Sequence, residues 1–181
     1  MILVTGGTGF IGRHLIRSLV QRGEQVRVLL RPSKTSPNFP KGISVEVAVS
    51  SFSDQRSLRA ALKDVDIVFH LAGAERYGVK GNLNQIDVEG TSTLLRAAQD
   101  SKISRFFYIS HHGADRGSAF PVLKAKGIAE SWIISSGIPY TVFRTDAVFG
   151  PGDQFTIPLV KLLRISPGFI LVPGEGSALL Q

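Results

Sequence analysis

Three glycines at a spacing of three, Gly6, Gly9 and Gly12, stand in the stretch VTGGTGFIGRHL, residues 4–15. They follow a short apolar run and open, at Phe10 and Ile11, onto a helical pattern. In such a loop the first glycine permits a tight turn, the second lets a pyrophosphate approach the backbone, and the third lets helix and strand pack closely. The helix start adds N–H groups and the positive end of its dipole. A preceding strand and a second strand after the helix make this a dinucleotide loop and not merely a glycine-rich turn. That second strand ends Leu29-Leu30-Arg31, with no carboxylate to bind the ribose 2′-hydroxyl of NAD. Arg31, with Lys34 shortly after, suits a 2′-phosphate, which a guanidinium grips through two parallel hydrogen bonds. A third chemical feature is His111-His112 after an apolar strand. Imidazoles with an unperturbed pKa near 6.5 shuttle protons at neutral pH. His111, His112, Asp87 and Tyr77 form one candidate acid–base set; two solvated loop histidines are the plain alternative. No group of ligands has the spacing of a metal site.

The elements that must position these groups alternate strand and helix. Strands are expected at Ile2–Thr5, Gln25–Leu30, Ser44–Val49, Asp66–Leu71, Arg105–Ser110, Tyr140–Arg144 and Phe169–Val172. Helices are expected at Phe10–Arg22 (closed by Gly23), Asp54–Lys63, Asn84–Asp100, Phe120–Ser136 and Phe155–Arg164, with a Pro/Ser/Lys-rich loop over Arg31–Gly42. Short apolar strands separated by helices imply a parallel sheet covered on both faces. The expectation is an α/β doubly wound Rossmann fold with seven parallel strands.

Composition narrows the function classes. The 181 residues, 43% hydrophobic and 19% charged, suit one globular domain spanning 1–181. Without cysteine, disulfides, thiolate metal sites and thiol nucleophiles are excluded, which fits a reducing compartment, cytoplasm or organelle stroma. No apolar run approaches the roughly 20 residues of a membrane span, and the N-terminus lacks a signal-peptide pattern. Net charge is +7, but the cations are scattered singly without aromatic interleaving, so nucleic acid is not the expected partner.

The chain resembles the short-chain dehydrogenase/reductases in their extended and atypical branches, in the part that is NAD-dependent epimerase/dehydratase-like. The resemblance rests on TGGTGFIGRHL (5–15), VDIVFHLAG (65–73), IDVEGTSTLLRAA (86–98), RFFYIS (105–110), KGIAESWIISSGIPYTVFR (126–144) and VFGPGD (148–153). It implies that Leu71, Ala72 and Gly73 join the glycine loop in holding the cofactor. It also implies that Arg13, where NADP-preferring relatives carry a basic residue, supports NADP(H) over NAD(H). Ser51 stands where relatives place an aspartate against the adenine amine, and Phe52 beside it flanks the ring or the core. For catalysis the family uses a tyrosine with a lysine four residues later, a serine and an asparagine. Lys126 matches the lysine and would grip the nicotinamide ribose. Val122 stands in place of the tyrosine, His112 in place of the serine and Asp87 in place of the asparagine.

The resemblance further implies a C-terminal substrate-binding lid that this chain does not contain, either as a fragment or by loss. The leading expectation is an NADP(H)-binding module that senses or assembles with a protein partner, as accessory members of the family do. The alternatives are a reductase or epimerase/dehydratase with non-standard acid–base residues, and a co-regulator that senses the NADP ratio. Oligomeric state and substrate are not legible in the sequence.

Overall fold

The computed structural model describes residues 1–33, 42–74, 81–153 and 155–166. The sheet comprises β1 (Ile2–Thr5), β2 (Val26–Leu30), β3 (Glu46–Val49), β4 (Ile67–His70), β5 (Arg105–His111) and β6 (Tyr140–Thr145). The helices are α1 (Phe10–Gln21), α2 (Gln55–Ala61), α3 (Gly90–Gln99), α4 (Pro121–Ser135) and α5 (Thr156–Ile165). All six strands are parallel, in the order β3-β2-β1-β4-β5-β6. This is the doubly wound Rossmann order, whose connections reverse direction between β1 and β4 and open a crevice at the carboxyl ends of those strands. The expected seventh strand, Phe169–Val172, lies outside the described residues, so the described sheet has six strands.

Successive strand residues face opposite sides of the sheet, and the core divides accordingly. Leu3, Leu29, Val68, Phe106 and Tyr108 pack with Leu58, Leu94 and Ile133 beneath α2, α3 and α4. Ile2, Val4, Val26 and Val28 face the other way and pack against Ile16 of α1. A charged side chain, Arg27, is buried at the edge of this apolar frame. Arg27 of β2, 8% exposed, donates through Nη1 to the carbonyls of Ala61 and Lys63, both at 2.7 Å, and through Nε to Glu46 at 2.9 Å. It thereby satisfies carbonyls left over at the end of α2. At the start of α2, Asp54 accepts the Ser57 N–H at 3.1 Å. The Ser57 hydroxyl and N–H hold its carboxyl below the usual carboxylate range.

The helix expected over Asn84–Asp100 is two segments. Asn84–Glu89 is π-helical and runs directly into α3. The Gly90 N–H reaches back five residues to Gln85 O, and the Thr91 hydroxyl takes the Asp87 carbonyl at 2.5 Å. Gly90 also packs tightly on Phe52, where an added methyl would stand 3.0 Å from the ring. The widened turn carries Asp87 into the interior, which a regular helical pattern does not foretell.

Candidate functional site

The glycine loop closes the crevice at the end of β1. Gly6 adopts φ +69°, and a Cβ there would stand 2.5 Å from the Leu71 carbonyl, so only glycine lets this turn pass under the β4 exit. At Gly12 a Cβ would run into the Gly6 carbonyl oxygen and lie 2.8 Å from Gly7 Cα. These two glycines are required by the protein's own packing. Gly9 differs: the one neighbour within 4 Å of an added Cβ is Gly6 O, at 3.2 Å. Its free side faces the crevice, where a phosphate would approach the unpaired N–H groups of the first turn of α1.

Two clefts meet at this loop. The first is lined by Gly6, Gly9, Leu30, Arg31, Ser50, Phe52, Leu71, Ala72 and Gly73. The second is lined by Gly9, Phe10, Ile11, Gly12, Leu71, Gly73, Ile109, Ser110, His111 and Lys126. They lie on either side of the β1–β4 switch point and share Gly6, Gly9, Leu71 and Gly73. Ser51 and Phe52 also border a third groove beside the first cleft, with Arg31 and Arg96. The Ser51 hydroxyl is 2.8 Å from that of Ser53.

Of the expected site residues, the glycines, Phe10, Ile11, Arg31, Phe52, Leu71, Ala72, Gly73 and Lys126 thus come together along one crevice. Arg13 is not among the residues lining either cleft. One residue beyond Gly12, it is turned by about 100° on α1 from the face that packs on the loop. His112 is exposed and binds Thr145 O through its backbone, whereas His111 lines the second cleft beside Ser110. Of the two histidines, the one that lines the second cleft is therefore His111. Lys34 and Tyr77 lie outside the described residues.

Behind the second cleft Lys126 and Asp87 form a buried pair, 8% and 0% exposed, with Nζ 3.2 Å from Oδ1. The contact is ionic without hydrogen-bond geometry at Oδ1. Asp87 Oδ2 accepts the Ala74 N–H at 2.9 Å. Lys126 donates to Ile109 O at 3.3 Å and stands 5.1 Å from the centroid of the Tyr108 ring. The buried Ser110 hydroxyl has no hydrogen-bond partner among the described residues. Four residues before Lys126 on α4, Val122 offers no hydroxyl.

A second buried network escapes sequence reading. Thr5 and His70 are register partners on β1 and β4, and Thr5 Oγ1 lies 2.7 Å from His70 Nδ1. His70 Nε2 lies 3.0 Å from Thr91 Oγ1. The Thr91 proton is committed to the Asp87 carbonyl, so Nε2 carries a hydrogen and donates to Thr91. Nδ1 then accepts from Thr5, whose oxygen also accepts the Ala72 N–H at 3.3 Å. Desolvation, aided by the Lys126 charge, pushes the His70 pKa down to about 3. The neutral imidazole ties the glycine-loop strand, the Ala72 backbone and the Asp87 turn into one unit. The available signal was a polar residue ending each of two adjacent apolar strands.

A parallel sheet in this order, a glycine loop at its switch point and clefts on both sides define a dinucleotide-binding Rossmann domain of the short-chain dehydrogenase/reductase type. Residues 6–152 match the family described as NAD(P)H-binding, and the chain belongs to that family. It is 30% identical over 167 residues to a ceramide reductase of Caulobacter vibrioides, covering 92% of this chain and 52% of that protein. It is 29% identical over 160 residues to the photosystem II assembly factor Ycf39 of Cyanophora paradoxa, covering 88% of this chain and 49% of that protein. Among solved structures, UDP-glucose 4-epimerase of Thermotoga maritima superposes with a TM-score of 0.68 at 25% identity, covering 83% of this chain and 56% of that one. The chain spans about half the length of the curated relatives it matches. No helix among the described residues is long and apolar enough to cross a membrane.

Proposed function

We propose that this domain binds NADP(H) in preference to NAD(H) and serves as a cofactor-holding module without tyrosine–lysine proton transfer. The observation that carries the preference is Arg31, which lines the first cleft at the end of β2, where NAD-selective sites place a carboxylate. The residues fit the dinucleotide. Gly9 leaves open the space a Cβ would fill, the first turn of α1 presents N–H groups, and Lys126 lines the second cleft. The bound dinucleotide would supply hydride chemistry at its nicotinamide. The chain's own part is to hold the phosphates on the loop, the 2′-phosphate on Arg31 and the ribose near Lys126. The module reading rests on Val122, which puts no phenol four residues before the lysine, and on Asp87, which pairs with the ammonium.

Relatives support both sides of the question, since one is a reductase and another an assembly factor. A specific observation keeps the enzyme reading in view: His111 lines the second cleft beside Ser110 and Lys126. In that reading His111 is the proton donor to a substrate held in the second cleft. A protein partner, and a place in the cytoplasm or an organelle stroma, belong to the proposal on the same footing.

Titration with NADPH and NADH tests the preference directly. Arg31→Asp should weaken NADPH by about 1–3 kcal/mol, the loss of a charge-assisted hydrogen bond, without weakening NADH. Equal affinity of the wild-type protein for both cofactors would refute it.

A further inference from the structure

Asp87 is the part of this site that holding NADP(H) does not require. Its carboxylate is fully buried, yet it lies directly behind the crevice wall. A methyl added at Gly73, which lines both clefts, would stand 3.0 Å from Asp87 Oδ1 and 3.4 Å from Lys126 Nζ. Asp87 is thus separated from the crevice by a single glycine, and Lys126 lines it. The other ionisable side chains lining the second cleft are His111 and Asp146. Nearby Arg144 and Glu130 neutralise each other through a bidentate pair of 3.0 and 2.6 Å, and His70 is neutral. Lys126 is therefore the buried cation behind this end of the crevice, and Asp87 is its counter-ion.

A nicotinamide cofactor changes charge at one end only: the reduced ring is neutral and the oxidised ring is a cation. With the phosphates on the glycine loop and the adenosine half toward Arg31, the nicotinamide half falls on the Lys126 side of the switch point. An uncompensated lysine there would repel the oxidised ring and leave the reduced one untouched. We propose that Asp87 sets the redox-state preference of the site: by cancelling the Lys126 charge it lets the domain hold NADP⁺ as readily as NADPH. The inference rests on the NADP(H) reading and deepens it, since a site indifferent to redox state suits a holding module better than a one-way reductase. At an effective dielectric of about 20, one uncancelled unit charge beside the ring changes a binding constant on the order of tenfold.

The test compares NADP⁺ and NADPH binding by calorimetry, at one pH and salt concentration, in four proteins: wild type, Asp87→Asn, Lys126→Gln and the double variant. Asparagine keeps an acceptor for the Ala74 N–H, so Asp87→Asn changes charge with little change of shape. The ratio Kd(NADP⁺)/Kd(NADPH) should rise about tenfold in Asp87→Asn and fall by a similar factor in Lys126→Gln. In the double variant, neutral again, it should return to the wild-type value. If Lys126→Gln fails to fold around its unpaired carboxylate, Asp87→Asn and the double variant still decide. A uniform weakening of both cofactors, with all ratios equal, would show that Asp87 is only structural and overturn the inference alone. Wild-type protein that binds neither form would overturn the NADP(H) reading and this inference with it.

Discussion

Mild acid should destabilise this domain through His70. In the unfolded chain the imidazole has an ordinary pKa near 6.5, whereas in the folded protein it is pushed down to about 3. Below pH 6.5 the unfolded state therefore binds a proton that the folded state refuses. The stability from a neutral His70 is complete above pH 6.5 and is lost as pH falls through 6.5 toward 3. Linkage gives a slope approaching about 1.4 kcal/mol per pH unit, or about 2 kcal/mol between pH 7 and pH 5. For a domain of this size that corresponds to a fall in Tm of about 4–8 °C. Asp54 and Asp153, both held below the carboxylate range, act in the same direction but chiefly below about pH 4. The window from pH 7 to pH 5 therefore isolates the histidine. The assay is urea unfolding at both pH values in wild type and His70→Gln. Glutamine keeps a donor for Thr91 but does not titrate. The variant is expected to be less stable at pH 7 and to lose about 2 kcal/mol less than wild type on acidification. Equal losses in the two proteins would refute a buried, neutral His70.

The glycine loop separates into a folding position and a binding position, and two substitutions should show it. Gly9→Val should keep the fold, because Gly9 has an ordinary extended backbone (φ −74°, ψ 173°), and should abolish NADPH binding by filling the phosphate space; a folded variant with unchanged affinity would refute the role. Gly12→Ala should cost about 1–3 kcal/mol of stability by overpacking against the Gly6 carbonyl, read as a lower denaturation midpoint. Val122→Tyr should bind NADPH as wild type does and show no NADPH oxidation with ketones, quinones or nucleotide sugars; wild-type turnover of roughly 1 s⁻¹ or more would overturn the module reading and direct attention to His111.

The legible residues in the sequence were those whose role is a steric demand on the backbone or a charge at a strand end. Gly6 and Gly12 announce themselves because no side chain fits there, and Arg31 because β2 stops where the sheet meets the crevice. The histidines were harder. In β5 Tyr108 and Ser110 are buried and His111 is the last paired residue, so a shift of one position decides whether a side chain meets the cleft or the solvent. The family motif alone placed His112 there. Arg13, one residue past Gly12, lies about 100° round α1 from the face that packs on the loop. The π-helical turn had no signal, because it depends on Phe52, Gly90 and Thr91 meeting in three dimensions. His70 was hidden in the apolar run DIVFHL, where periodicity reports burial but not the two hydroxyls that make burial of an imidazole tolerable.

The surroundings of Lys126 bear on what its ammonium can do. A lysine activates a phenol by lying close enough to stabilise the phenolate, and the acid so formed acts only within hydrogen-bond reach of a positioned substrate. Here the ammonium is engaged from behind by Asp87, Ile109 O and the Tyr108 ring, and the residue four positions before it is valine. Burying two charges costs several kcal/mol of desolvation, which their attraction offsets only while both are present, so removing one partner alone is strongly destabilising. The pair is thus held by the fold whether or not a cofactor is bound, and the resemblance implies an uncharged asparagine where this aspartate stands. Both departures, Val122 and Asp87, act on the same ammonium. One removes the group it would activate and the other removes the net charge with which it would do so.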